Sequence, residues 1–223
     1  MKNYRKLLAG SLALLFAVGI TGCSNTSGGG TGVANEDGLV VLNVASTGQP
    51  VSFDPADANL VVNEYTEYDC YDTLLDFNQD GTDVVPALAE SWEQVDDLTY
   101  TYKIREGVKF SDGSDLTMDD VLYSLNRVRE DAYGMSYLFE HVDSFEVDEK
   151  TRTLTVHLTQ PDSTWKYVPA TTPCQILKKS VVEAEGDAYG TNEGSVVGTG
   201  PYKFVSWLSL IHISEPTRPI SIS

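Results

Sequence analysis

The chain predicts a fold that mixes helices and strands, α/β or α+β, and three stretches carry that expectation. Thr99 to Arg105 alternates: Tyr100, Tyr102 and Ile104 face one way and Thr101, Lys103 and Arg105 the other, as in a half-buried strand. Met118, Val121, Leu122, Leu125 and Val128 recur at helical spacing, behind Thr117 and Asp120 placed as a capping box. Phe145 to Val147 and Leu154 to Leu158 read as two strands around a charged turn at Asp148, Glu149 and Lys150.

The remaining elements follow in chain order. Leu39 to Val44 is a nearly continuous apolar run, short enough for a buried strand. Ser52-Phe53-Asp54-Pro55 turns the chain. Tyr65, Tyr68, Tyr71 and Leu75 recur at helical spacing; such a stripe can line a pocket, but core packing is its ordinary use. Asp76 to Asp83 is a polar turn. Its first half matches the opening of a calcium loop, yet the closing glutamate position is Ala87, so a metal is not expected there. Pro86 to Trp92 reads as a short apolar-and-turn lead into the Thr99 strand, and Ser111-Asp112-Gly113-Ser114 as the turn after it. His157 falls on the polar face of its strand, and Val181 to Glu185 is a short helix ended by Gly186.

Both ends of the chain differ from its middle. Lys2, Arg5 and Lys6 precede an uncharged apolar run from Leu7 to Ile20, the pattern of an export leader. That run stops at Ile20-Thr21-Gly22-Cys23, which resembles a lipoprotein processing box, so residues 1–23 are expected to be a signal peptide with Cys23 the acylated residue. Each buried acyl CH₂ contributes about 0.8 kcal/mol, so several chains on one cysteine anchor firmly to a membrane. Residues 24–38, rich in Gly and Ser, have the composition of a flexible tether. Residues 208–223 break the domain pattern and resemble the translation of a sequencing-library adapter, which predicts a non-native tail. Residues 39–207 are then the domain proper, long enough for an ordinary core.

A net charge of −18 disfavours nucleic-acid partners and keeps an exported protein soluble. Besides Cys23, the chain has Cys70 and Cys174, for which two buried free thiols are expected over a disulfide. His141 and His157 do not stand at metal-ligand spacing with Cys, Asp or Glu, and there is no Gly-x-Ser-x-Gly elbow. The expectation is a binding protein with no catalytic residue, no metal and no cofactor.

Taken in order, Pro86-Ala87-Leu88-Ala89-Glu90-Ser91-Trp92, the Thr99 to Arg105 strand, Val108-Lys109-Phe110-Ser111-Asp112-Gly113 and Leu116-Thr117-Met118-Asp119-Asp120-Val121 resemble the N-terminal lobe of peptide-type, family 5 solute-binding proteins of ABC importers. Gly198-Thr199-Gly200-Pro201-Tyr202 fits the same family downstream. The resemblance implies a truncated α/β lobe of a two-lobed, periplasmic-binding-protein-like fold, with ligand held between lobes. It implies a peptide ligand, a permease and ATPase complex as partners, and a place outside the cytoplasm. Nickel-complex, glutathione and oligosaccharide binders share this N-terminal signature, and a surface signalling or adhesion lipoprotein reusing the fold is the alternative of another class. By the same resemblance Asn59, Leu60 and Val61 correspond to a segment that touches ligand backbone. Tyr133, or Tyr137 in its place, corresponds to a tyrosine lining the cleft. For both, loop packing is the structural alternative. Gly198 to Tyr202 are expected to be structural, a tight crossing with Tyr202 packed inward.

Expressed in a bacterium, the chain should incorporate labelled fatty acid and fractionate with membranes. Cys23→Ala should lose both properties, and labelling that survives the substitution would show that the anchor is elsewhere.

Overall fold

The computed structural model describes residues 48, 50–57, 67–130 and 135–207, with the backbone of a strand pair at 33–34 and 40–41. That pair, β1 (Val33–Ala34) and β2 (Val40–Val41), is antiparallel, with Val33 opposite Val41. β1 falls within residues 24–38 and β2 within the first expected strand. They belong to a unit of their own; a second unit begins at Ser46.

In the second unit Pro55–Asp57 form a single 3-10 turn, and residues 67–70 are helical. The tyrosine stripe stops sooner than its spacing suggests: Tyr71 is buried, Tyr68 is exposed, and Leu75 lies in a strand. β3 (Leu75–Phe77) and β4 (Val84–Pro86) form a hairpin. Its polar turn is closed by Asn78, whose Oδ1 accepts the Thr82 and Asp83 amides at 2.9 and 3.2 Å.

β5 (Ala89–Asp96) follows after a two-residue link and replaces the expected lead into the next strand. It pairs with β6 (Thr99–Ile104), β6 with β8 (Thr153–Leu158) and β8 with β7 (Val142–Asp148), giving an antiparallel sheet in the order β5-β6-β8-β7. On β6 and β8 alternate residues are buried, including Tyr100, Tyr102, Ile104, Leu154 and Val156. Over the sheet lies α1 (Met118–Glu130), burying Met118, Val121, Leu125 and Val128. Fully burying such side chains contributes about 1.5–3 kcal/mol each. Trp165 completes this first core and donates its indole N–H to the Tyr102 hydroxyl at 3.1 Å.

The capping box at α1 forms in both directions. The Asp120 amide donates to Thr117 Oγ1 at 3.1 Å, and the Thr117 amide donates to Asp120 Oδ2 at 3.0 Å. The second Asp120 oxygen accepts the Lys179 amide at 3.0 Å, so one carboxylate starts α1 and also holds the start of α2 (Lys179–Glu185). α2 ends at Gly186, as its sequence signal predicts, with φ 53°.

A second, smaller core gathers Phe53, Cys70, Tyr71, Leu177, Val182, Tyr189 and Val196, with Phe204 and Trp207 against it. The Phe53 ring meets Phe204 and Trp207 edge-on, at 4.9 and 5.3 Å between centroids. Cys70 and Cys174 are buried free thiols.

The Gly198 to Tyr202 segment crosses the end of the 67–70 helical turn at very short range. Gly200 and Tyr202 donate their amides to the carbonyls of Cys70 and Asp69 at 3.0 and 2.9 Å. A Cβ on Gly198 would stand 2.0 Å from the Cys70 carbonyl oxygen, and one on Gly200 2.6 Å from the Cys70 carbonyl carbon. The crossing is therefore as tight as expected, but Tyr202 does not pack inward. Its amide is taken by Asp69 while its side chain stays 60% exposed.

Gly198→Ala should destabilise the chain by at least about 2 kcal/mol, since the obstructing atom is backbone and cannot rotate away. Gly48→Ala, where nothing lies within 4 Å, is the control and should stay within about 0.5 kcal/mol. Urea unfolding of both variants checks the contrast; equal midpoints would refute the close crossing.

Candidate functional site

The turn after Ser52 is fixed from several sides. Gly190 carbonyl accepts the Phe53 amide at 2.8 Å, Ser52 Oγ accepts the Asp54 amide at 3.0 Å, and Asp54 Oδ1 accepts the Ala56 amide at 3.1 Å. The Asp54 carboxylate then receives Arg127 side-on. Nη1 donates to Oδ1 at 2.7 Å and Nη2 to Oδ2 at 2.5 Å, a two-pronged bond with side-chain exposures of 6% for Asp54 and 12% for Arg127. Arg127 sits in the last turn of α1, where the helix dipole favours a cation. Its guanidinium also lies 5.8 Å from the centre of the Tyr189 ring.

Beneath this pair, the hydroxyls of Tyr71 and Tyr189 meet at 2.9 Å, and Tyr71 donates to the Phe53 carbonyl at 3.2 Å. Tyr189 is therefore the donor to Tyr71. Burial holds both hydroxyls well above the ordinary phenol range, so they stay protonated. A cleft of about 420 Å³ opens beside the pair, with Ser52, Asp54, Tyr123, Arg127, Tyr189 and Thr191 among its walls.

Neither spacing nor periodicity marks the Asp54–Arg127 pair in the sequence. Asp54 reads as a turn residue, and Arg127 falls off the apolar stripe of its helix. The pair nonetheless ties together the roots of both segments expected to touch ligand. Asn59, Leu60, Val61 and Tyr133 lie outside the described residues, as does Cys23. Tyr137, the alternate for Tyr133, is 64% exposed on the 3-10 turn Ser136–Phe139.

A second polar locus lies where Gly198 to Gly200 cross residues 70–72. Burial raises the Asp72 carboxyl above the ordinary carboxylate range, and the nearby Thr199 hydroxyl opposes that rise. Side chains of this kind donate and accept hydrogen bonds. They do not make a nucleophile: burial pushes the Cys70 thiol up to about 11 and Cys174 up to about 12, so neither is a thiolate near neutrality.

The family described as bacterial extracellular solute-binding proteins, family 5 (its middle region), matches residues 83–209. The chain belongs to that family. Its members are solute-binding proteins. Glutathione-binding protein GsiB of Escherichia coli O1:K1/APEC is 31% identical over 159 residues, covering 70% of this chain and 30% of GsiB. Dipeptide-binding protein DppE of Bacillus subtilis (strain 168) is 28% identical over 228 residues, covering 93% of this chain and 42% of DppE. Among solved structures, the oligopeptide-binding protein AppA of Bacillus subtilis, in complex with a nonapeptide, superposes with a TM-score of 0.63 at 27% identity. That match covers 73% of this chain and 33% of AppA. The chain thus spans 30% to 42% of the length of these relatives.

Arg127→Met should cost about 3–5 kcal/mol, because it leaves a buried carboxylate unpaired. Adding Asp54→Asn should recover much of that loss, since the orphaned charge is then gone. Denaturant titration of the two single variants and the double variant measures the coupling; additive losses would mean that the pair does not stabilise the fold as a unit.

Proposed function

We propose that the chain is part of the substrate-binding lipoprotein of an ABC importer that captures peptides outside the cytoplasm. The observation that carries the peptide assignment is the agreement among its relatives: one is named for glutathione, one for dipeptides, and one is solved with a nonapeptide. In this reading Cys23 carries the lipid that holds the protein at the membrane, and residues 24–38 are its tether. A permease and ATPase complex receives the loaded protein.

Asn59, Leu60 and Val61 present main-chain groups to an extended ligand, as a strand does to a sheet edge. That mode gives affinity without reading side chains and suits a ligand class of varied sequence. Tyr133 supplies a side-chain wall. The Asp54–Arg127 pair supports this role by fixing the chain that leads into both segments.

The complete protein should be stabilised against heat by di- to pentapeptides of varied sequence, and little by nickel chelates or oligosaccharides. Val61→Pro, which removes one main-chain donor, should weaken all peptides alike by about 1–3 kcal/mol. A thermal-shift screen followed by calorimetry reads both effects. Stabilisation by chelates or sugars alone would overturn the peptide assignment and leave the transport role standing.

A further inference from the structure

The segment from Tyr202 to Trp207 reads Tyr-Lys-Phe-Val-Ser-Trp, rich in the aromatic and β-branched residues that favour strands, with no Gly, Pro, Asn or Asp to interrupt it. It is nonetheless part of no strand. The Asp69 carbonyl accepts the Tyr202 amide, but from Lys203 to Trp207 the main chain makes no hydrogen bond with any described residue. Local preference and pairing therefore disagree, at a place where the side chains are held. Phe204 and Trp207 lie against the second core, and both rings meet Phe53 edge-on. Val205 between them is 89% exposed.

A groove of about 310 Å³ opens beside Val205, with Ser111, Asp112, Val196, Val197 and Phe204 among its walls. Val196 and Val197 also leave their main chain unbonded among the described residues. The edge strand β5 makes the contrast. It carries Glu90, Glu93 and Asp96, which keep another strand from pairing with it. Residues 203–207 carry a single charge, that of Lys203, so little in them resists a partner. A second copy is a poor partner, since chains of net charge −18 repel one another. The family match points elsewhere. It is to a middle region, it runs through this segment to residue 209, and the chain spans only 30% to 42% of its relatives, in which polypeptide continues. A segment close in sequence also has the least loop-closure entropy to overcome.

We propose that residues 203–207 are a strand of the complete protein, and that a segment of the same polypeptide, beyond Trp207, lies in the groove beside Val205 and pairs with their main chain. The proposal rests on the reading that this chain is part of a longer protein, and not on the identity of the ligand. It makes the rings of Phe53, Phe204 and Trp207 the seam between the described unit and the remainder. Phe53 directly precedes Asp54, so the remainder docks one residue from the Asp54–Arg127 pair.

Hydrogen exchange on the full-length protein, read by mass spectrometry, tests it. The amides of residues 203–207 should exchange at least about 100-fold more slowly than in an unstructured peptide of the same sequence, without ligand and at any protein concentration. Val205→Asp should lower the melting temperature by at least about 4 °C, because it places a charge in a covered groove. Val95→Asp, at a position 55% exposed on β5, is the control and should shift it by less than about 2 °C. Unprotected amides would overturn the proposal, and that measurement needs no variant, so it decides even if Val205→Asp does not fold. Equally small shifts for the two variants would overturn it as well. Protection that appears only with added Ala-Ala or glutathione would make the groove a ligand site, and protection that grows with concentration would make it a contact between copies; either sinks the proposal. A source gene with no coding sequence past Ser223 defeats the longer-protein reading and the proposal together, whereas unprotected amides in a longer product defeat the proposal alone.

Discussion

A carboxylate as buried as Asp54 is costly without a compensating charge, and Arg127 supplies one through two parallel hydrogen bonds. Much of the second unit is arranged around that requirement. α1 belongs to the first core and the Ser52 to Asp57 turn to the second, so the pair is a charged rivet between them. Gly190 lets the turn close: with φ 78° and a hypothetical Cβ 2.6 Å from that of Asp54, it accepts no larger residue without movement. The Tyr71–Tyr189 hydroxyl pair then finishes the polar groups beneath it.

The elements legible in the sequence are those whose signal is local. β6 shows its alternation within six residues, α1 its cap and stripe within thirteen, and β7 with β8 their turn. β5 escaped notice because it is an edge strand. Only Ala89 is buried, Trp92 is half-buried, and Glu90, Glu93 and Asp96 are exposed, so no alternation survives. Those carboxylates are the ordinary means of keeping an edge from pairing with another chain. Two register shifts along its pairing with β6 blur the pattern further.

The candidate site was less legible, for the same physical reason. Asp54 and Arg127 come together only after the chain has folded, and no short spacing announces them. The glycines of Gly198-Thr199-Gly200 did announce a close crossing, since two glycines around one residue are costly in the unfolded chain unless backbone must approach. Tyr202 was misread because an aromatic residue next to such a motif suggests burial, whereas its amide, not its ring, makes the attachment.

The glycine crossing also bears on the order of events during folding. Cys70 and Gly198 bracket the whole four-stranded sheet and α1, so their contact closes one very long loop. The β5–β6 and β7–β8 hairpins and the cap of α1 need only short loops and can form early. The crossing must wait until the sheet has shortened the path between its ends, because closure entropy grows with the loop that remains free. The second core, which Cys70 and Tyr71 share with Leu177, Tyr189 and Val196, is thus the late-assembling half of the unit, and a newly made chain keeps Phe53, Phe204 and Trp207 open to solvent until that last closure.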